Sequence, residues 1–379
     1  MSRILIVPAS YKTTLSSLEV VQVLFELLQS ELPEHLVEAR VITDGGEGTV
    51  DAFEYNFNGV VKAYEVTGPL GQPVQAKVCW LDSRSAVLES SQVVGYSLVP
   101  PSRRDPWQAS SFGVGELIRR LVVDGAREIF VTMGDSAIMD MGVGMLDALG
   151  VEFYAGRRKI ERPRLGDLND VTYFSTESSA QLAHVSMTGL VDTKDYLCGS
   201  RGQAETYGHQ KGMRESERSA VENALYRFTR VIAEQRKVDV ARLPMATGSG
   251  GLAAALHAFQ GAPLIHTPEY FSRRVGLDDS LQSADYVITG EGCLDDQTRW
   301  GKVPYFVASR CSGTCVAIVG SYTEEGRRDL SEASANRIAL FTLDAGSAIS
   351  HPRKALAAIG RVVANYISQE AGRQCSRSR

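Results

Sequence analysis

The residues of this chain that could do chemistry gather in short glycine-rich loops. Pro8-Ala-Ser-Tyr-Lys12 is the first, and Thr43-Asp-Gly-Gly-Glu-Gly-Thr49 the second. Gly134-Asp-Ser-Ala-Ile-Met-Asp140-Met-Gly-Val-Gly144 lies in the middle. Thr289-Gly-Glu-Gly-Cys-Leu-Asp-Asp-Gln-Thr298, Gly301-Lys302 and Gly320-Ser321 come late. Each combines small residues with hydroxyls, carboxylates or a lysine. In a loop such as 134–144, successive backbone amides and the positive end of a following helix can cradle phosphate. A single loop of this kind is an ordinary tight turn; several at one sheet edge read as a ligand site.

The elements that must position these loops follow from hydrophobic period. Arg3–Val7 reads as a buried strand, and Leu18, Val21, Leu24, Phe25 and Leu28 recur at helical spacing behind a Ser16/Glu19 capping box. Val37–Ile42 is a second strand, followed by a helix near 49–57. Late in the chain, 285–288, 315–319 and 337–343 read as strands, and Leu356, Ile359, Val363 and Ile367 stripe a last helix. Strand–helix alternation of this sort predicts a parallel sheet with helices on both faces, where ligands collect outside the carboxyl ends of the strands. The middle adds alternating strands over about 60–110, a helix near 112–123, a strand at 128–133 and a charged helix near 215–235. The fold expected is therefore a Rossmann-like α/β domain, residues 1–62 with 284–379. A second α/β domain, 63–283, is inserted into it, with the active site in the cleft between the two.

Composition narrows the class. With 379 residues, 44% hydrophobic and 22% charged, the chain has the balance of a folded globular protein. Its 40 basic and 45 acidic residues give −5, so nucleic acid and anionic membranes are poor partners. No stretch approaches a membrane span. Six cysteines without CxxC or zinc spacing suit reduced thiols and a cytoplasmic setting. GxxxxGK[ST], HExxH and GxSxG are absent, and the GxGxxA match at Gly248 follows no convincing strand. A P-loop NTPase and a Rossmann dehydrogenase are thereby disfavoured.

In order, and over nearly the whole chain, these loops resemble the bacterial glycerate kinase family, of the glycerate 2-kinase type I group. That family's APDS-F/Y-K is matched by Val7–Lys12, its ADGGEGT by Thr43–Thr49, its TGPLG by Thr67–Gly71 and its GxGELI by Gly113–Ile118. GGSATNDGG corresponds to Gly134–Gly142, FGPQKG to Tyr207–Gly212, and ITGEGxxDxQ…GKVP to Ile288–Gln297 and Gly301–Pro304. The sequence departs from the pattern at Ala9, Asp135, Ile138, Met139 and Met141, and at Asp195 and Tyr196, where the family has Asn and Pro. PGAGAAGG has become Pro244–Gly251.

The resemblance implies phosphorylation of D-glycerate to 2-phosphoglycerate, or to the 3-phosphate, by ATP with Mg²⁺, in a monomer or homodimer. Phosphoryl transfer asks mainly for positioning and charge neutralisation. On that reading Lys12 and Lys211 are cations for the substrate carboxylate or the phosphates, and Ser10 and Glu47 contact substrate. Asp44 and Asp192 are candidates for hydroxyl base or magnesium ligand. Gly134, Ser136 and Asp140 cradle phosphate, with Gly290, Glu291 and Gly292 beside them. Asp295 and Gln297 hold metal or ribose. The departures leave two other readings open. One is a kinase for another small hydroxy acid, with Met139 and Tyr196 reshaping the site; the other is a non-catalytic paralogue that binds nucleotide or hydroxy acid.

Overall fold

The computed structural model describes residues 1–11, 14–182, 184–295, 298–334 and 337–377. Its described strands run in chain order as follows. β1 (Arg3–Ile6) and β2 (Leu36–Ala39) come first. β3 (Val60–Thr67), β4 (Pro73–Trp80), β5 (Ser85–Glu89), β6 (Glu128–Met133), β7 (Glu152–Ala155), β8 (Arg158–Ile160), β9 (Tyr173–Ser175), β10 (Ser186–Val191) and β11 (Leu264–His266) follow. β12 (Tyr286–Leu294), β13 (Thr314–Tyr322) and β14 (Ile338–Thr342) close the chain. The chain forms two compact units: Met1–Asp44 with Pro268–Arg379, and Gly45–Thr267.

The first unit is a parallel sheet in the order β14-β13-β12-β1-β2. Counted within the unit, this is the 2-1-3-4-5 order of doubly wound sheets, with its switch point between β1 and β12. The loops after those strands carry Ser10 and Asp295. The capping box is present: the Ser16 hydroxyl accepts from the Glu19 N–H, and the Glu19 carboxylate accepts from the Ser16 N–H, opening helix Ser17–Glu31. That helix buries Val20, Val21, Leu24 and Leu28 and packs against the last helix, Pro352–Arg377.

The second unit holds a mixed sheet, β11-β10-β6-β5-β4-β3, in which β5, β6, β10 and β11 are parallel and β3 and β4 antiparallel. A small antiparallel sheet, β8-β7-β9, lies apart from it. Its core is built from Val78, Leu88, Ile129, Val131, Leu146, Phe153 and Phe228 among others, all fully buried.

Two expectations shift. The division falls at 44/45 and 267/268 rather than 62/63 and 283/284. Helix Thr49–Phe57 packs on β3, β4 and β5, so the chain has joined the second unit before β3 begins, while helix Leu277–Ser283 packs on β1 of the first. Strands β12 and β13 also run past the expected ends at 288 and 319, to Leu294 and Tyr322. The ladder continues because Gly290 has no side chain: a Cβ there would stand 1.8 Å from the Ile318 carbonyl oxygen and 2.8 Å from the Tyr11 hydroxyl. Gly290, Glu291 and Gly292 are therefore strand residues, and the loop proper starts at Asp295. Among the described residues, no helix is long and apolar enough to cross a membrane.

Candidate active site

In the second unit, the loops after β5, β6 and β10 meet at the carboxyl edge of the sheet, and the Gly45–Gly48 segment lies across them. A Cβ on Gly134 would stand 2.8 Å from both N and Cα of Gly46, so backbone meets backbone there. Asp135 fixes the same contact by accepting from the Glu47 N–H at 3.1 Å, while Glu47 itself is exposed. Below lies a group that sequence reasoning missed. Glu89, at the end of β5, is fully buried and accepts from the N–H groups of Val50 (2.9 Å) and Gly48 (3.3 Å) and from the Ser91 hydroxyl (2.6 Å). It thus caps the helix that the Asp-Gly-Gly-Glu-Gly-Thr loop enters. Burial pushes its carboxyl up to about 7 against those three hydrogen bonds, which favour the charged form. An acidic residue ending an otherwise apolar strand was the available signal.

Lys211 is the centre of this region. It is 4% exposed, and its Nζ donates to the Ser136 hydroxyl at 2.9 Å and the Ile138 carbonyl at 2.8 Å. Both acceptors are neutral, and among the described residues they leave one of its three N–H donors over. Burial pulls the ammonium down to about 7, opposed by the charges of Asp192, Asp140 and Asp135. A buried lysine with a lowered pKa beside carboxylates is a functional-site candidate.

Asp192 follows β10, half-buried, with its N–H on the Met133 carbonyl at 3.2 Å. Its charge, with burial the larger cause, holds the Tyr207 hydroxyl far above the ordinary phenol range. Tyr207 donates to Asp195 at 2.8 Å and to Thr193 at 3.1 Å, and Arg201 pairs with the other oxygen of the buried Asp195. The departure at 195 is thus an acid with its own cation.

Asp140 is engaged within its own loop and by Ser111. It is fully buried, and its carboxylate accepts from Ser111 N–H (2.8 Å), Ser111 Oγ (2.7 Å), Gly142 N–H (3.2 Å) and Gly144 N–H (3.3 Å). It shapes the 134–144 loop from within, and burial raises its carboxyl despite those bonds. Ile138, Met139 and Met141 are fully buried in the hydrophobic core, and Tyr196 is 43% exposed. Asp135 and Met141 keep the left-handed backbone, φ 49° and 50°, that suits the family's glycines at those positions.

The first unit presents a different arrangement. Glu291 is 6% exposed, and its Oε1 accepts from Thr298 Oγ1 at 3.0 Å. Lys302 Nζ lies 3.5 Å from Glu291 Oε2 and 2.8 Å from Asp295 Oδ1. Thr298 Oγ1 in turn accepts from the Asp295 N–H at 3.0 Å. Lys302, noted in sequence only as part of a glycine-lysine pair, is the cation that joins these carboxylates. Ser10 and Asp44 are half-buried, and Ala9 is buried with its N–H on the Gly290 carbonyl at 2.8 Å. Tyr11, also buried, donates to the Ile318 carbonyl at 2.7 Å. Lys12 and Gln297 lie outside the described residues.

No group of three or more His, Cys, Asp or Glu among the described residues could hold a metal by itself. A magnesium ion does not require one, because it binds through one or two carboxylates plus substrate phosphates. Asp44, Asp192 and Asp295 remain the candidate oxygen donors for it.

Comparison with known proteins agrees with this architecture. The model of the glycerate kinase family matches residues 4–368. Glycerate 2-kinase of Escherichia coli K12 is 34% identical over 332 residues, 85% of this chain and 86% of that protein. A glycerate kinase of Bacillus cereus is 32% identical over 310 residues, 81% of each chain. A crystal structure from Salmonella typhimurium LT2, assigned as glycerate kinase 2, superposes with TM-score 0.77 at 32% identity, covering 98% of this chain and 99% of that one. The chain belongs to the glycerate kinase family.

Proposed function

We propose that this protein transfers the γ-phosphoryl group of ATP to the 2-hydroxyl of D-glycerate, in a reducing cytoplasm. Phosphorylation of glycerate follows from the family; the nucleotide, the metal and the hydroxyl are our reading. The observation that carries it is Lys211, a desolvated ammonium held by Ser136 and the Ile138 carbonyl within electrostatic reach of Asp192. Protonated, it supplies a fixed positive charge for the substrate carboxylate or the migrating phosphoryl oxygens. In a dry site such a charge is worth far more than in water, and it needs no reorganisation during the reaction. Asp192 orients the attacking hydroxyl and accepts its proton. The Gly134–Ser136 backbone and the Gly45–Gly48 segment, locked together by Asp135 and Glu89, give the phosphates an amide-rich surface. Mg²⁺, held by Asp192 or Asp44 together with the phosphates, would offset their charge.

Glu291 and Asp295, fixed by Lys302 and Thr298, serve nucleotide binding in the first unit, with Gly290 and Gly292 bringing backbone close. Of the two residues that motivated an altered hydroxy acid, Met139 is buried in the core, which favours glycerate, and Tyr196 is exposed. A coupled ADP-release assay with MgATP and D-glycerate tests the reading, with L-glycerate and no-acceptor controls and identification of the product. Turnover of about 1 s⁻¹ or more, yielding 2-phosphoglycerate, is expected. ADP formed equally without glycerate, or nucleotide bound without turnover, would overturn it.

A further inference from the structure

The second unit contains a concavity of about 740 Å³ lined by Arg103, Arg104, Arg164 and Arg214. Its acidic lining is Asp105 and Glu217 only. Glu217 is taken: the Arg214 backbone N–H donates to it at 2.8 Å and the Arg214 guanidinium donates to its other oxygen, holding its carboxyl down at about 2. Asp105 accepts from the Trp107 N–H at 2.9 Å.

The remaining three guanidiniums have no carboxylate partner among the described residues. Arg104 donates to the carbonyls of Val99 (3.3 Å) and Gln210 (3.2 Å) and lies over the Tyr96 ring, 4.8 Å from its centroid. Arg164 donates to the Gln108 amide oxygen at 2.5 Å. Arg103 makes no side-chain hydrogen bond or ion pair among the described residues. Three like charges in one concavity, two of them on neutral acceptors, repel each other and focus a positive field into it. Planar guanidinium forks match carboxylate and phosphoryl oxygens two at a time.

Arg104 also connects this concavity to the lysine. Its guanidinium holds the Gln210 carbonyl, and its own carbonyl lies 2.2 Å from where a Cβ on Gly212 would stand. Lys211 is the residue between. Tyr96, beneath Arg104, donates its hydroxyl to Gln210 Oε1 at 3.1 Å and its N–H to the Asp135 carbonyl at 2.9 Å.

We propose that this concavity is a binding site for a small polyanion carrying two or more carboxylate or phosphoryl groups, and that Arg104 couples its occupancy to Lys211. Binding at the concavity is independent of the glycerate reading, while its coupling to Lys211 rests on that reading. Calorimetric titration of the full chain with pyrophosphate and with citrate at fixed ionic strength tests it, alongside an Arg103→Ala/Arg164→Ala double variant. Both residues are exposed and outside the catalytic groups. Binding of one or both probes should weaken roughly tenfold or more in the double variant, the scale of lost charge-assisted contacts. Its melting temperature and its ADP release without probe should stay at wild-type values. In Arg104→Ala, a bound probe should no longer alter the KM for the acceptor. Equal affinity of wild type and double variant would place the anion elsewhere and overturn the proposal, as would no binding by wild type up to millimolar probe. Calorimetry reads the site even if glycerate is not turned over.

Discussion

The two units handle buried charge in opposite ways. In the first, the Glu291 and Asp295 carboxylates share the Lys302 ammonium, and the Thr298 hydroxyl donates to Glu291 while accepting from the Asp295 N–H. Their charges are compensated where they stand, and binding there depends on backbone approach and shape. In the second, the Lys211 ammonium meets neutral oxygens at 2.8 and 2.9 Å, and burial brings it close to losing its proton near neutral pH. An anionic ligand would complete that group, whereas in the first unit it would compete with partners already in place. On the function proposed above, the second unit would stabilise transition-state charge and the first would position the nucleotide.

The largest effect should come from the uncompensated cation. Lys211→Met should lower kcat by on the order of a hundredfold or more, the usual cost of one fixed electrostatic group, with far-ultraviolet circular dichroism unchanged. Asp192→Asn should lose on the order of a hundredfold as well, through the proton-accepting role. Wild-type turnover in either folded variant would dissolve the contrast.

In the first unit the large effect should fall on stability instead. Gly290→Ala would drive a methyl against the Ile318 carbonyl, 1.8 Å away, and destabilise by about 3 kcal/mol in urea unfolding, in the upper range for overpacking.

Glu89 gives a smaller, pH-dependent effect. Its carboxyl titrates at about 7 in the folded protein against an ordinary 4.5, so between those values the folded state holds more protons than the unfolded. The contribution is fully present below about 4.5 and is lost as pH rises through 7. Glu89→Gln should remove that dependence, worth about 3 kcal/mol over the window. A denaturation midpoint whose pH profile is identical in both proteins would contradict the assignment.

The smallest change is expected from Lys302→Met, which should raise the KM for ATP several-fold with kcat little altered, since it removes the cation between two carboxylates at the proposed nucleotide site. A kcat loss equal to that of Lys211→Met would make the units equivalent and end the comparison.

Much of this was legible in residue order. Glycines next to Asp, Ser and Thr announced the turns, and the 3.6-residue stripe and capping box announced helix Ser17–Glu31. What escaped depends on tertiary neighbours. Gly290 and Gly292 read as a loop because glycine weakens strands, yet close approach of the β13 backbone makes glycine the residue that lets this strand continue. The partner of Asp140, Ser111, lies 29 residues earlier, so its role within the 134–144 loop could not be seen in the motif. Met139 read as reshaping the site because it replaces Asn, and its side chain is buried in the core. Glu89 shows no local pattern with the amides of Gly48 and Val50 that it holds.

The most direct test of the central claim is the pH dependence of kcat/KM for D-glycerate-dependent ADP release, which reports ionisations of the free enzyme. A cationic Lys211 predicts a limb that descends as pH rises through about 7, and Lys211→Arg should move that limb out of the measurable range. A wild-type profile flat or rising across that region would contradict the account.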